Sequence, residues 1–266
     1  LGNPPEHMIT GVPAYVDGKM IAIAERAGAS VINRDRMWHY TEGIKNFEPI
    51  WPNHAIRILP GPSSLWLDAE GNRLKPPFLP GFDTLGTLEH IMHTGYDYSW
   101  FILNKKIIRK EFALSGSEQN PDLTNRSLPG VLKRIFGKNP TSPVQAFIER
   151  GEDFVTADQL EELVEKMNQL VRSDLLNYEK IKKTIEDRDR ELNNPFSKDT
   201  QITYIRSHRK YIGDRLMRVA RPNKILDKKN GPLIAVRLNI LTRKTLGGLE
   251  TNLNGQVRKP DGTELT

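Results

Sequence analysis

The sequence predicts an α+β fold, in which a few helices and a small mixed sheet are joined by long ordered loops. Three observations carry that reading. Apolar residues recur at helical spacing in only a few segments, short strand-like apolar runs lie between them, and no regular strand–helix–strand alternation links the two. At 266 residues, 37% hydrophobic and 27% charged, the chain can bury one large core or two modest ones, and its Leu and Ile content excludes disorder along the whole length.

Taken in order, residues 17–29 form a short helix pattern with Met20, Ile21, Ile23, Ala24 and Ala27 on its apolar side, closed by Gly28. Val31-Ile32-Asn33 reads as a strand, and an aromatic cluster, Met37-Trp38-His39-Tyr40, follows. The prolines concentrate at Pro49, Pro52, Pro60, Pro62, Pro76, Pro77 and Pro80, so this region is expected to be loop held against a core. Within it, two extended pieces flank Pro60-Gly61-Pro62, and Asp68 to Gly71 forms the turn of a hairpin. Residues 98–111 read as an apolar strand leading into a basic segment. Thr156 is expected to cap a helix beginning at Ala157, with Gln159 completing a capping box. Leu160, Leu163, Val164, Met167, Leu170 and Val171 then recur at helical spacing and point to core. A second helix is expected over 174–191, ended by Asn193-Asn194-Pro195, and a strand over 233–240.

Composition removes several function classes. Cysteine is absent, which excludes disulfides, thiolate metal sites and cysteine nucleophiles, and no metal site is read. No apolar stretch is long enough to span a membrane, and LGNPPEHMIT has neither the basic nor the apolar part of a secretory leader, so a cytoplasmic protein is expected. The formal charge is +6, concentrated between Lys198 and Lys229. That excess fits a solvated face or a basic surface for nucleic acid or an anionic substrate. No zinc-finger spacing, aromatic RNA-binding strand or GxxG clamp accompanies it, so nucleic acid is not the expected partner. The dinucleotide fingerprint GxGxxG and the phosphate-binding P-loop are both missing.

Five segments together resemble the fumarate reductase and 3-ketosteroid dehydrogenase flavoprotein superfamily. VDGKMIAIAERAGA is similar to its Gly-Asp-Gly helix and following Ala-Gly-Ala; ILPGPSSLWLDAEGNRL to its Arg-Gly-x-Gly hairpin; SWFILNKK to a strand of its substrate-side domain. TADQLEELVEKM and the helix after it resemble the cap helices, and TLGGLETNLNGQVRKPDG resembles the Gly-Gly-Leu to Asp-Gly approach to the last flavin-binding segment. The resemblance implies an interior fragment of an FAD-dependent dehydrogenase acting on a CH–CH or related group of a small hydrophobic or cyclic, steroid-like ketone. It divides the chain into a partial FAD-domain segment (1–50), a substrate-binding cap (51–230) and a return segment (231–266). Further FAD-domain segments in cis are the implied partners, and without them this chain is expected to fold yet not to hold FAD tightly.

The same resemblance implies that Asp17, Gly18, Gly247 and Gly248 face the cofactor and that Thr245 lies beside flavin and substrate. His39 stands at a substrate-side position, where it could donate to a carbonyl or move a proton, or simply shield a core edge. Arg57 replaces an acidic residue usual in the family, leaving a catalytic, an anion-facing or a salt-bridged role open. His93, Tyr96 and Tyr98 could line a pocket or an aromatic core edge, and Arg243 could bind an anionic group of the substrate. Two departures limit the mechanism. The family's tyrosine pair falls on Leu233 and Ile234, and its histidine before Thr-x-Gly-Gly is replaced by Arg243-Lys244. The alternative to an enzyme is a basic binding or interaction domain without catalysis, with nucleic acid as its candidate ligand.

Overall fold

The computed structural model describes residues 5–116 and 118–266. Among these, the strands are β1 (Ile9–Thr10), β2 (Val31–Ile32), β3 (Met37–Lys45), β4 (Ala55–Leu59), β5 (Leu65–Asp68), β6 (Tyr98–Asn104), β7 (Ala113–Leu114), β8 (Phe154–Ala157), β9 (Leu233–Thr245) and β10 (Gly248–Leu249). Helices are α1 (Lys19–Arg26), α2 (Thr84–His93), α3 (Lys105–Glu111), α4 (Pro121–Thr124), α5 (Leu128–Phe136), α6 (Ser142–Arg150), α7 (Leu160–Val171), α8 (Tyr178–Glu191), α9 (Thr200–His208) and α10 (Ile212–Met217). The α+β expectation holds, with an eight-stranded sheet in the order β5-β6-β9-β3-β4-β7 and a separate β2–β10 pair.

β9 organises the sheet. Its first half pairs with β6 on one edge and β8 on the other, through Leu233 to Val236. Its second half pairs with β3 and, in parallel, with β1 at Leu241 and Thr242. Both edges are therefore occupied along the strand, and the apolar run LIAVRLNIL is what such enclosure requires. The strand extends beyond the expected 233–240 to Thr245, which carries the sheet to the candidate site.

The main core lies where β6 meets α6, α7 and α8: Trp100, Phe101, Phe147, Leu163, Met167, Ile181 and Ile185 are all buried in one cluster. Each such side chain contributes about 1.5–3 kcal/mol by leaving water. The helical stripe read from the sequence is this core, although α7 starts later than its capping signature suggests. Thr156 and Ala157 lie in β8, opposite Ile234 and Leu233, and the strand pairing overrides the local capping box. α8 also starts later, with Asn177 capping the Lys180 N–H at 3.0 Å. The residues before it are held by Asn168, whose amide bonds both Leu176 N and Leu176 O at 3.0 Å.

β4 and β5, the extended pieces around Pro60-Gly61-Pro62, join opposite parts of the sheet. The Asp68 turn forms as expected, its carboxylate accepting from Glu70 N and Asn72 N at 2.9 and 2.8 Å. The loop between the two strands is held by buried polar groups. Glu111 accepts from Ser63 N (2.8 Å), Ser63 Oγ (2.6 Å) and Ala220 N (2.8 Å). Gln201 donates to the Pro62 and Ser64 carbonyls at 2.9 and 2.7 Å. Arg188 donates to Asp189 at 2.7 Å and to the Asn223 carbonyl at 2.9 Å.

Candidate active site

β3 is interrupted twice against β9. Trp38 faces Lys244 while His39 faces Thr242, so Arg243 is the extra residue of one bulge. Between Tyr40 and Gly43 the register shifts again, and here β3 carries the extra residue in Thr41-Glu42. Bulges bend a strand and re-aim its side chains. Those on either side of His39 and Tyr40 set this stretch apart from a regular ladder.

His39 lines a cavity of about 670 Å³, within the range of roughly 300–1,000 Å³ usual for small-molecule sites. Met37 and Trp38 form one wall, Leu85 and Leu88 of α2 a second, and Leu246 reaches in from the loop after β9. Asp35, Arg36 and Thr84 supply polar groups at its border. The His39 Nδ1 is buried and has no hydrogen-bond partner. Burial also lowers the imidazole pKa, which favours the neutral ring. A neutral imidazole lining an apolar cavity can donate to or accept from one polar group of a ligand.

The loop 245–248 packs against the turn before β3. Leu246 N donates to the Arg36 carbonyl at 2.9 Å, and β10 pairs with β2. A Cβ on Gly247 would stand 2.0 Å from the Asn33 carbonyl oxygen, so only glycine permits this approach. Gly248, by contrast, has nothing within 4 Å of where a Cβ would project. Thr245 lies opposite Met37 and is exposed.

The other expected residues fall elsewhere. Asp17 and Gly18 precede α1 on an exposed face; hydrogen bonding from the Lys19 side chain lowers the Asp17 pKa. Gly18 takes a φ of 74°, the left-handed conformation that glycine adopts without strain. Tyr96 and Tyr98 line a second cavity of about 600 Å³ together with Arg237 and Asn239. Burial raises the Tyr98 pKa, so its phenol stays protonated. His93 ends α2, exposed and bonded to the Glu89 carbonyl at 2.6 Å, and lines neither cavity. Arg243 sits in its bulge beside β1.

Arg57 is engaged within the protein. Its guanidinium lies 3.7 Å from the centroid of Tyr40 and its Nε is 3.7 Å from Glu42. It lines a third, smaller cavity with Pro60, Gly61 and Tyr204. Glu42 was not legible as a notable residue. It is fully buried, neither carboxylate oxygen has a hydrogen bond, and burial raises its pKa against the pull of Arg57. Leu233 and Ile234, at the family's tyrosine positions, are buried in β9. In the basic segment, Arg206 and Arg209 bond the carbonyls of Leu192 and Val219 at 3.0 and 2.6 Å, and these two cations hold helix ends in place.

Comparison with known proteins bears on the same features. Residues 1–266 match a family model described as FAD binding domain. A KsdD-like steroid dehydrogenase of Mycolicibacterium smegmatis is 62% identical over 99% of this chain and 48% of its own length. Another from Mycobacterium tuberculosis (strain CDC 1551 / Oshkosh) is 61% identical over 100% of this chain and 47% of its own. The chain thus spans about half the length of the curated relatives it matches. Among solved structures, a 3-ketosteroid delta1-dehydrogenase from Sterolibacterium denitrificans aligns with a TM-score of 0.58 at 15% identity, covering 99% of this chain and 42% of that one. The open conformation of a flavocytochrome c3 fumarate reductase aligns with a TM-score of 0.51 at 13% identity, covering 98% and 35%. Both likenesses are of fold.

Proposed function

Because the chain belongs to the FAD binding domain family, we propose that the whole protein is a flavin-dependent dehydrogenase acting on a CH–CH or related group of an apolar cyclic ketone of steroid type. The observation that carries this reading is the cavity lined by His39, a largely apolar space that the Gly247-Gly248 loop reaches through Leu246. Relatives 61–62% identical named as steroid dehydrogenases support the substrate class.

The residues present fit part of a flavin site. Gly248 and Gly18 leave open space at their Cα atoms, so a planar ligand can approach the backbone there. In this reading Asp17, Gly18, Gly247 and Gly248 border FAD, which when bound supplies the hydride acceptor. His39 donates to a substrate oxygen on which negative charge develops, Thr245 borders the reacting carbon, and Arg243 attracts an anionic substituent. Trp38, Leu85 and Leu88 orient the ring system and exclude water. Arg57 acts from behind, fixing Tyr40 through its stacking and Glu42 through charge, while Tyr96 and Tyr98 border a separate part of the substrate path. Residues 51–230 form the substrate-side cap in this scheme, and 1–50 with 231–266 belong to the FAD side. Further FAD-domain segments in cis would cover the exposed apolar residues Met20 and Ile23 of α1.

The test uses the whole protein. A flavin absorption spectrum after gentle purification and reconstitution is expected, with reduction of an artificial acceptor by a ketosteroid. His39→Phe should lower kcat/KM about a hundredfold, the usual size for loss of one donor to developing charge, with flavin content retained. Gly247→Ala should lower flavin content by displacing the turn at Asn33. A protein that takes up no flavin contradicts the proposal, and an unchanged kcat/KM in His39→Phe removes the role given to that residue.

A further inference from the structure

A second apolar surface lies on α5 and α10, away from the residues of the 670 Å³ cavity. None of the residues of α5 is buried. Leu128, Leu132 and Phe136 are 75%, 55% and 72% exposed, and their four-residue spacing lines them along one stripe. α10 packs against α5 and adds exposed Tyr211, Ile212 and Leu216. Both helices are fastened from behind by α3. Arg109 donates to the Gly137 carbonyl, and Lys110 donates to the carbonyls of Leu216 and, at 3.2 Å, Ile135. The stripe is therefore held in place with its apolar side chains outward.

Charge surrounds it. Residues 121–139 and 209–218 together hold eight Lys and Arg against two Asp, a net +6 that equals the net charge of the entire chain. Both aspartates are already paired, Asp122 with Arg134 at 2.6 Å and Asp214 with His208 at 2.8 Å. Arg126, Lys133, Lys138, Lys210 and Arg215 are left without an ion pair among the described residues.

We propose that the α5–α10 face docks on an anionic lipid surface, Leu128, Leu132 and Phe136 entering the interface and the surrounding cations meeting the headgroups. A nucleic acid would satisfy the charge and leave the stripe in water. A second copy would cover the stripe and set like charges against one another. An anionic bilayer satisfies both features, since apolar side chains lie at the acyl boundary while Lys and Arg extend to the headgroups. The inference does not depend on what the enzyme oxidises.

The test is co-sedimentation of the intact protein with vesicles of phosphatidylcholine alone and with one-third phosphatidylglycerol. Binding is expected to the anionic vesicles and to weaken as salt rises. The double variant Leu132→Ser/Phe136→Ser should bind about tenfold more weakly, with an unchanged circular dichroism spectrum because both positions are exposed. Absence of binding to anionic vesicles at low salt would overturn the proposal, as would equal binding by the double variant. So would a dimer in sedimentation velocity that the double variant makes monomeric without any lipid binding by the parent.

Discussion

Two regions of this molecule handle polar and apolar groups in opposite ways. Around Ser63, charged groups are buried and held by hydrogen bonds: Glu111 takes three donors, and Arg188 joins Asp189 to the Asn223 carbonyl, although its Nε has no partner. At the other end, α1, β2 and β10 leave Met20, Ile23, Ile32 and Leu249 exposed. The first region pairs most of its buried polar groups and fixes the loop that joins β4 to β5. The second forms regular elements without burying their apolar sides, so its elements hold their shape by local hydrogen bonding. Breaking the first should cost global stability, whereas altering the second should matter only where a cover is present.

The largest effect is expected at Arg188. It is fully buried, burial lowers its pKa, and Asp189 opposes that shift. Arg188→Met removes the cation and leaves Asp189 buried with only the Ile225 and Leu226 N–H groups as donors. Removing one partner of a buried pair costs about 3–5 kcal/mol. Urea unfolding should show a loss of that size, and a loss below about 1 kcal/mol would mean that the cluster does not organise the loop.

That cluster was not legible in the sequence, and the reason is physical. Glu111 ends the basic run KKIIRKE, and Arg188 sits in EDRDRE, stretches dominated by charge in which nothing local marks a buried position. What buries them is a set of backbone groups distant in sequence, which no local pattern announces. The core helices were legible because Leu160, Leu163, Val164 and Met167 repeat at 3.6-residue spacing, a property of one segment alone. At the candidate site, sequence resemblance singled out His39 and the Gly247 loop, and β3–β9 pairing brings them to one cavity. The bulges at Arg243 and Glu42 were hidden, since a bulge belongs to the pairing of two strands. α5 and α10 were missed because their apolar residues face outward.

An intermediate effect is expected from pH at Glu111. Burial pushes its carboxyl from an ordinary 4.5 up to about 7, although Ser63 and Ala220 donate to it and pull the other way. The folded state therefore holds this proton more tightly than the unfolded state. Its stabilising contribution is complete below pH 4.5 and is lost as pH rises through about 7. The shift corresponds to roughly 3 kcal/mol at most. Asp199 and Asp122 have lowered pKa values and act with the opposite sign, so the informative quantity is a difference between variants. Unfolding free energies of the parent and Glu111→Gln should converge or diverge mainly between pH 4.5 and 7. A constant difference across that window would show that Glu111 does not titrate there.

The smallest effect, and the sharpest test of the contrast, is expected at Ile23. It lies on the apolar side of α1, 46% exposed, and no residue of that helix is buried. In the 266-residue chain, Ile23→Ser removes little packing and trades one residue of modest helix propensity for another. The change in unfolding free energy should stay within about 0.5 kcal/mol, the usual span for exposed positions. In the whole protein, a covering FAD-side segment would bury the same methyl groups, and the loss should rise to about 1–3 kcal/mol. Paired urea titrations of both lengths measure the two values directly. Equal small losses in both would show that α1 stays uncovered, and the proposed cover from FAD-side segments would fail at this helix. A large loss in the 266-residue chain alone would instead place α1 within its stable core.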